Sequence, residues 1–258
     1  MDNAILFTVC ALFFSILLTV VYFSKERFNK IENKIYAILI ILNLVGLIIH
    51  ILCGIVTPMT NDNFESKVFS KIYLWYLLSW ITLFVTYVFI ISKNTNNQIR
   101  IKKIFTIMTI IYVILLFIMI LLPILIYNEN NVIYTYGPSV DFLYIISAIY
   151  GAIMFTCLVI NYKNIKSKKY LPIFLFMIIS LIVAIIQSLH PSLLLMTSME
   201  TFITFLMYFT IENPDIQMLK EFHKARELAE ESNKEKTEFL FNISNQIKTP
   251  INKIIETS

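Results

Sequence analysis

The sequence predicts an all-α membrane protein, in which a bundle of seven transmembrane helices precedes a long cytosolic helix. The chain has 258 residues, of which 58% are hydrophobic and only 15% are charged, whereas a soluble domain carries about 25% charged residues. The apolar residues fall in blocks long enough to cross a bilayer, which takes about 20 residues per helix. From residue 213 onward the chain becomes highly charged, contains no glycine and is rich in helix formers.

The predicted spans are separated by short polar connections. They cover residues 4–23, 35–56, 70–92, 104–127, 142–162, 171–189 and 193–211. The first has neither the basic segment nor the small-residue cleavage site of a secretory signal, so we interpret it as a true span. In TIENPD, residues 210–215, Asn213 suits the cap of a new helix and Pro214 its first turn. The membrane region is therefore predicted to cover 1–212.

Basic residues in the connecting loops predict the orientation. The loops after the first, third and fifth spans carry Lys25, Arg27, Lys30, Lys34, Lys93, Arg100, Lys102, Lys103, Lys163, Lys166, Lys168 and Lys169. The loops on the other side carry only Lys67 and Lys71. Because basic loops stay in the cytoplasm, we predict an outside N-terminus and a cytosolic C-terminus in a cytoplasmic membrane.

Three titratable residues in or beside the spans form a candidate sensing site. Glu200 lies inside the seventh span, where an unpaired ionisable group costs roughly 2–3 kcal/mol or more. His50 in the second span and His190 at the end of the sixth fall at a similar predicted depth. Together they would bind a cation, a proton or a polar ligand; the alternative is polar packing or contact with the membrane surface.

Other residues in the spans are interpreted as structural. Asn43 and Ser180 are predicted to form hydrogen bonds between helices. Five aromatic residues are predicted to anchor span ends at the membrane interface: Trp75, Trp80, Tyr22, Tyr127 and Tyr162. The cysteines lie in apolar blocks without metal-ligand spacing, at Cys10, Cys53 and Cys157. Neither a disulfide framework nor a zinc site is predicted.

A heptad pattern runs through the predicted signalling helix over 213–236 and the segment over 237–258. Positions spaced alternately by three and four residues form a seam, as in a parallel coiled coil. The seam consists of Leu219, Phe222, Arg226, Ala229, Asn233, Lys236, Leu240, Ile243 and Ile247. In this register Asn245 lies outside the seam. Pro250, which lacks an N–H, predicts a kink just after it.

The segment 236–255 resembles the phosphoacceptor helix, or H-box, of bacterial sensor histidine kinases. The family pattern is Phe, a few residues, Ser-His-Glu, an aliphatic residue, Arg or Lys, Thr and Pro. Here Phe239 is followed by SNQIKTP over 244–250. The seven-span region with YFTIENPD after it is similar to a group of such kinases that have a seven-helix N-terminal region. The resemblance implies the first helix of a kinase dimerisation domain.

The two positions that carry the family's chemistry depart from its pattern. Asn245 stands where the family has the phosphate-accepting histidine, and an amide nitrogen is not nucleophilic at neutral pH, unlike imidazole. Gln246 replaces the acidic neighbour and cannot act as a general base. Thr249 matches the residue that in the family helps to dephosphorylate the partner receiver. No glycine follows Gly151, so the family's Asp-x-Gly-x-Gly loop for ATP is missing.

We therefore expect the membrane signal-input part of a two-component sensor histidine kinase, catalytically incompetent as given. Three versions are open: the N-terminal part of a longer kinase, a degenerate remnant, or a receptor that pairs with an intact kinase. Expected partners are membrane lipids and a parallel homodimer or heterodimer. ATP and a response-regulator receiver are expected only with a further C-terminal domain; no metal, other cofactor or nucleic acid is expected. The alternative is a small transporter or channel with an incidental helical tail.

Overall fold

A computed structural model describes most of the chain. It covers residues 3–25, 31–60, 64–93, 98–129, 132–160, 171–190, 193, 195–209 and 214–257. The elements in chain order are α1 Asn3–Ser24, α2 Ile31–Thr60, α3 Phe64–Lys93, α4 Gln98–Leu121, β1 Leu125–Glu129, β2 Val132–Tyr136, α5 Pro138–Ile160, α6 Leu171–Leu189, α7 Met196–Met207 and α8 Pro214–Thr257. The chain divides into two units, Met1–Glu212 and Asn213–Ser258.

Five helices of the described chain are long and apolar enough to cross a membrane. Their apolar stretches are Ile5–Ser24, Ile31–Thr57, Phe64–Ser92, Ile101–Leu121 and Pro138–Ile160. The apolar stretch of α6, Ile173–Gln187, is shorter, and α7 has only 12 residues. The all-α fold and the membrane character are thus confirmed, while the count of seven spans stays a prediction.

Helix α3 forms the centre of the first unit. In its most apolar stretch 72% of the residues are buried, against 11% in α4 and 17% in α5. Helix α3 packs against α2, α4 and α5, and α7 packs against α1, α2 and α6. The remaining faces expose large apolar side chains, such as Phe13 at 68% and Phe117 at 62%. Such a surface is unfavourable in water but not against lipid tails, which are equally apolar.

Two aromatic residues that were predicted to lie at the membrane interface are buried inside the bundle. Trp80, predicted to anchor a span end, is only 1% exposed and stacks on Phe84 with ring centroids 5.2 Å apart. Tyr22 is fully buried and donates its hydroxyl to the Asn33 carbonyl at 2.8 Å. The prediction was wrong for both residues, because each side chain is buried in the bundle. Tyr162, predicted to be a further anchor, lies outside the described residues.

A β-hairpin lies between α4 and α5 and was not predicted from the sequence. The predicted fourth span covers 104–127, but α4 ends at Leu121. The residues that follow form β1, which pairs antiparallel with β2. Both strands are rich in β-branched and aromatic residues, which favour strands. Tyr127 and Tyr134 are register partners, and their rings stack 4.9 Å apart. The hairpin and the adjacent ends of α3, α5, α6 and α7 are called the hairpin end of the bundle.

The second unit is one long helix. Helix α8 has 44 residues and runs without interruption through the predicted boundary at 236–237 and past Pro250. Every side chain from Glu221 to Asn242 is exposed. An ion pair between Arg226 Nε and Glu230 Oε1, 2.7 Å apart, links two successive turns; such exposed pairs stabilise a helix by only about 0.3–0.5 kcal/mol.

We predict that Gly46→Ala destabilises the bundle. A Cβ at Gly46 would overlap the ring of Tyr76 on α3, so α2 and α3 must separate or the ring must move. Overpacking of this kind costs about 1–3 kcal/mol, measured as free energy of unfolding in mixed micelles.

The matched control is Gly151→Ala on α5, because nothing lies within 4 Å of a Cβ there. In that helix interior alanine is expected to be neutral or to stabilise by about 0.5–1 kcal/mol. Equal effects of the two substitutions would contradict the close approach of Tyr76 to Gly46.

Candidate functional site

A group of buried polar side chains is connected by hydrogen bonds inside the bundle. This polar network consists of Thr8 and Ser15 on α1, Asn43 and His50 on α2, Tyr76 on α3, and Thr197, Glu200 and Thr201 on α7. All eight residues are buried. The network therefore joins four helices at positions that lipid does not reach.

The spacing of these residues along each helix explains why they meet. Thr8 and Ser15 are seven residues apart, as are Asn43 and His50, and two helical turns return a side chain to the same face. On α7, Thr197 and Thr201 are four residues apart. A polar side chain that faced lipid would lack hydrogen-bond partners, so each helix turns its polar face toward the others.

Glu200 is one of the two titratable residues of the network, and its carboxyl contacts α3. The Tyr76 hydroxyl donates a hydrogen bond to Glu200 Oε2 at 2.5 Å. Among the described residues, no Lys, Arg or His side chain forms an ion pair with this carboxyl. Because a buried carboxyl in an apolar medium is costly without a partner, the tyrosine hydroxyl is the main local stabilisation that the structure provides.

Asn43 connects Tyr76 to α1 and α7. Its Nδ2 donates to Thr201 Oγ1 at 3.1 Å and lies 3.3 Å from Ser15 Oγ. The Tyr76 hydroxyl lies 3.4 Å from Asn43 Oδ1. Since this hydroxyl has one proton and Glu200 is closer, Asn43 is the weaker of two competing acceptors.

The predictions for the two structural polar residues had different outcomes. Asn43 is confirmed as an interhelical hydrogen-bond partner. Ser180 is not, because its hydroxyl donates to the Met177 carbonyl of its own helix at 3.1 Å. A serine hydroxyl can form its hydrogen bond with a backbone carbonyl of the same helix. The Asn43 amide instead forms hydrogen bonds with side chains of other helices.

His50 occupies the part of the network nearest the hairpin end. Its Nδ1 is 2.6 Å from Thr197 Oγ1 and 3.3 Å from Thr8 Oγ1. The imidazole stacks on the ring of Tyr73, with centroids 4.7 Å apart. The ring is therefore held by contacts to α1, α3 and α7.

The structure brings together two of the three predicted sensing residues. A chain of hydrogen bonds connects His50 to Glu200 and runs through Thr197, Thr201, Asn43 and Tyr76. His190, at the end of α6, is exposed, and the network does not include it. The described residues contain no group of three or more His, Cys, Asp or Glu side chains that could hold a metal ion.

A small cavity lies beside Glu200. Its volume is about 50 Å³, and its lining includes Trp80, Ser147, Ser180 and Glu200. The Trp80 Nε1 is buried without a hydrogen-bond partner among the described residues. A volume of this size suits one water molecule, which needs two to four polar partners.

The sequence did not indicate that Tyr76 contacts Glu200. Tyr76 is one of several aromatic residues in α3, and nothing in their spacing marks it. The threonines of α7 carried a usable signal, since Thr197, Thr201 and Thr204 follow one face of a helix. That face identifies the side of α7 that packs inward, although not its partners.

The three positions of the H-box-like segment lie on α8. Asn245, Gln246 and Thr249 belong to the continuous helix Pro214–Thr257, but their side chains lie outside the described residues. No protein-family model, curated protein or solved structure matches this chain. Its function is therefore argued from its own residues.

We predict that Tyr76→Phe destabilises the bundle by about 1–3 kcal/mol, the cost of leaving a buried polar group without its partner. The substitution keeps the ring and removes only the donor to Glu200 Oε2. The free energy of unfolding in mixed micelles measures the effect. The pair Tyr76→Phe and Glu200→Leu forms a double-mutant cycle, because each substitution removes one partner of the hydrogen bond.

The control is Tyr112→Phe, which also removes a tyrosine hydroxyl from a contact between helices. Tyr112 is 2.7 Å from Ser79 Oγ, but Ser79 still donates to the Trp75 carbonyl at 2.6 Å. We expect a cost below about 1 kcal/mol. If Tyr112→Phe costs as much as Tyr76→Phe, the Glu200 contact is not special.

Proposed function

We propose that this protein is the membrane signal-input part of a two-component sensor histidine kinase. One observation carries the proposal: the H-box-like sequence lies on a 44-residue helix that follows the membrane bundle in the chain. This helix exposes all its side chains from 221 to 242, so these side chains are available to a partner. It suits a segment that passes a conformational change to a partner.

A parallel homodimer is the proposed form of the signalling helix. The apolar seam residues Leu219, Phe222 and Leu240 are 57–65% exposed in a single chain. A second copy in register would cover them, and the polar seam residues Arg226 and Asn233 would fix that register at some cost in stability. A weak seam of this kind can change packing, which a relay requires. An intact kinase with the same seam is the alternative partner.

The proposed topology has seven membrane passes, an outside N-terminus and a cytosolic C-terminus. Helices α6 and α7 are shorter than the other membrane helices, but α7 packs against α1, α2 and α6. It also contributes Thr197, Glu200 and Thr201 to the buried polar network. These contacts support its inclusion in the membrane bundle, and the basic loops support the orientation.

The proposed mechanism uses the competition for the Tyr76 proton. Tyr76 on α3 faces an acceptor on α7, Glu200, and a more distant one on α2, Asn43. If the Tyr76 hydroxyl donated to Asn43 instead of Glu200, the hydrogen bond that joins α3 to α7 would be lost. Since α7 is the last helix of the bundle before α8 in the chain, a change in its packing has a direct covalent route to the signalling helix.

The proposal assigns no phosphoryl chemistry to this chain. The amide of Asn245 cannot accept phosphate as a histidine does. ATP binding, autophosphorylation and transfer to a receiver would come from domains carried by the same or a paired polypeptide. The role proposed for Asn245 and its neighbours on α8 is to control the packing of the coiled-coil dimer.

A small transporter or channel is the second candidate, because a buried carboxyl such as Glu200 is also typical of ion pathways. Ion or proton flux through proteoliposomes that contain only this protein would favour that candidate. Signal input predicts no such flux.

We predict that Leu240→Glu prevents dimerisation of the full-length chain in detergent, because it places a charge in the proposed seam. Sedimentation or light scattering measures the association state. Phe241→Glu is a closely matched control: Leu240 and Phe241 are adjacent and are 65% and 66% exposed, but only Leu240 belongs to the seam.

Dimer loss in both variants, or in neither, would contradict the seam. A wild-type protein that stays monomeric would exclude the homodimer and leave pairing with an intact kinase as the version to test.

We also predict that a change in the polar network alters kinase output. Residues 1–236 are fused to the dimerisation and ATP-binding domains of an intact sensor kinase, and autophosphorylation is measured in membranes. Tyr76→Phe is expected to shift the rate by roughly fivefold or more, the lower end of typical coupling between sites. Tyr112→Phe is expected to leave it unchanged. Equal rates in all three chimeras would contradict a signalling role for the network.

A further inference from the structure

A second cavity, of about 210 Å³, lies at the hairpin end of the bundle and belongs to neither the polar network nor α8. We call it the tyrosine pocket. Its lining includes Tyr73, Tyr134, Tyr136, Asp141, Tyr144 and Gln187. We propose that the tyrosine pocket binds a small organic cation that also carries a hydrogen-bond donor, such as a hydroxyl-bearing quaternary ammonium.

The tyrosines supply the first part of the recognition. The face of an aromatic ring is negative and attracts a cation within about 6 Å, and aromatic cages are the usual protein sites for quaternary ammonium groups. Two of the rings are held in place because each stacks on another aromatic ring. Tyr134 stacks on Tyr127 at 4.9 Å in the hairpin, and Tyr73 stacks on His50 at 4.7 Å. Rings held in place lose little freedom when a ligand binds.

Asp141 supplies the charge. It lies in the first turn of α5 and is exposed, so its carboxylate is available to a ligand in the pocket. An acid in a first turn also complements the helix dipole, and that role is compatible with ligand binding. None of the described residues that line the pocket is Lys, Arg or His. The pocket therefore favours a cation over an anion.

Gln187 supplies a hydrogen-bond acceptor. Its Oε1 is buried and has no hydrogen-bond partner among the described residues. A buried acceptor without a partner is unfavourable, and a ligand hydroxyl or N–H would supply the missing donor once the Gln187 amide turns toward the pocket that this residue lines. This requirement separates the proposed ligand from a purely apolar molecule, which would use neither Gln187 nor Asp141.

The size of the pocket limits the ligand. A cavity of about 150 Å³ can hold benzene, so about 210 Å³ accommodates a molecule somewhat larger than benzene. A cation with a trimethylammonium group and a short hydroxyalkyl chain is within this range. A folded protein or a long peptide is not.

The tyrosine pocket adjoins the polar network. It shares Leu77, Leu143 and Met196 with the cavity beside Glu200. The pocket is also lined by Tyr73, whose ring stacks on His50 of the network. A ligand in the pocket would press on side chains that surround both titratable residues of the network; its use as a signal, unlike its binding, rests on the function proposed above.

Direct binding of choline to the full-length protein tests the proposal. The protein is placed in nanodiscs of phosphatidylethanolamine and phosphatidylglycerol, which contain no choline headgroup, and binding is measured by calorimetry or with labelled choline. The comparison ligand is 3,3-dimethylbutan-1-ol, which has the shape and hydroxyl of choline but no charge. We expect saturable choline binding and an affinity for the alcohol that is lower by roughly tenfold or more.

Matched variants assign the interaction to residues. Asp141→Asn and Tyr134→Leu are each expected to weaken choline binding by about tenfold, while Tyr134→Phe keeps the ring and the affinity. Glu65→Gln is the charge control: Glu65 is an exposed acid in the first turn of α3 but does not line the pocket. It is expected to bind choline as the wild type does.

Three results would overturn the proposal. They are the absence of saturable choline binding to monodisperse protein, equal affinity for choline and its uncharged analogue, and unchanged affinity in Asp141→Asn. Because binding is measured without any kinase, these results leave the signalling proposal intact. Conversely, if the substitutions leave autophosphorylation of the chimera unchanged, the choline-binding result still stands.

Discussion

The structure of the bundle depends on one contact, the hydrogen bond from Tyr76 to Glu200. A carboxyl in an apolar interior is unfavourable unless a donor reaches it, and among the described residues that donor comes from α3. The tyrosine ring reaches this position only because α2 presents Gly46 to it. One polar contact and one missing side chain thus define how closely α2, α3 and α7 approach each other.

This constraint links the candidate site to the surface at the hairpin end. His50 and Tyr73 form a stacked pair between the polar network and the tyrosine pocket. Apolar side chains shared by the two cavities form a second connection. Packed interiors respond to a bound molecule by rearrangement and not by compression. A ligand at the hairpin end therefore has a physical route to the hydrogen bonds of α7.

The second unit follows a different physical rule. The bundle can expose apolar side chains because lipid covers them, but α8 is highly charged and its exposed apolar residues face water. A seam with Arg226, Asn233 and Lys236 in its middle gives less stability than an apolar one and more definition of register. That balance suits a helix that alternates between packings, which is the relay role proposed above.

The sequence by itself determined the membrane class, the helical fold and the change of character at residue 213. These depend on composition and on the length of apolar blocks, which are local properties. Only the tertiary structure decided which faces turn inward. A helix that is apolar all round gives no sign of its buried side, so the burial of Trp80 and Tyr22 was not predictable. The hairpin depends on pairing between two short strands, and the partner of Glu200 lies on a helix far away in the chain. Such contacts exist only once the helices have packed.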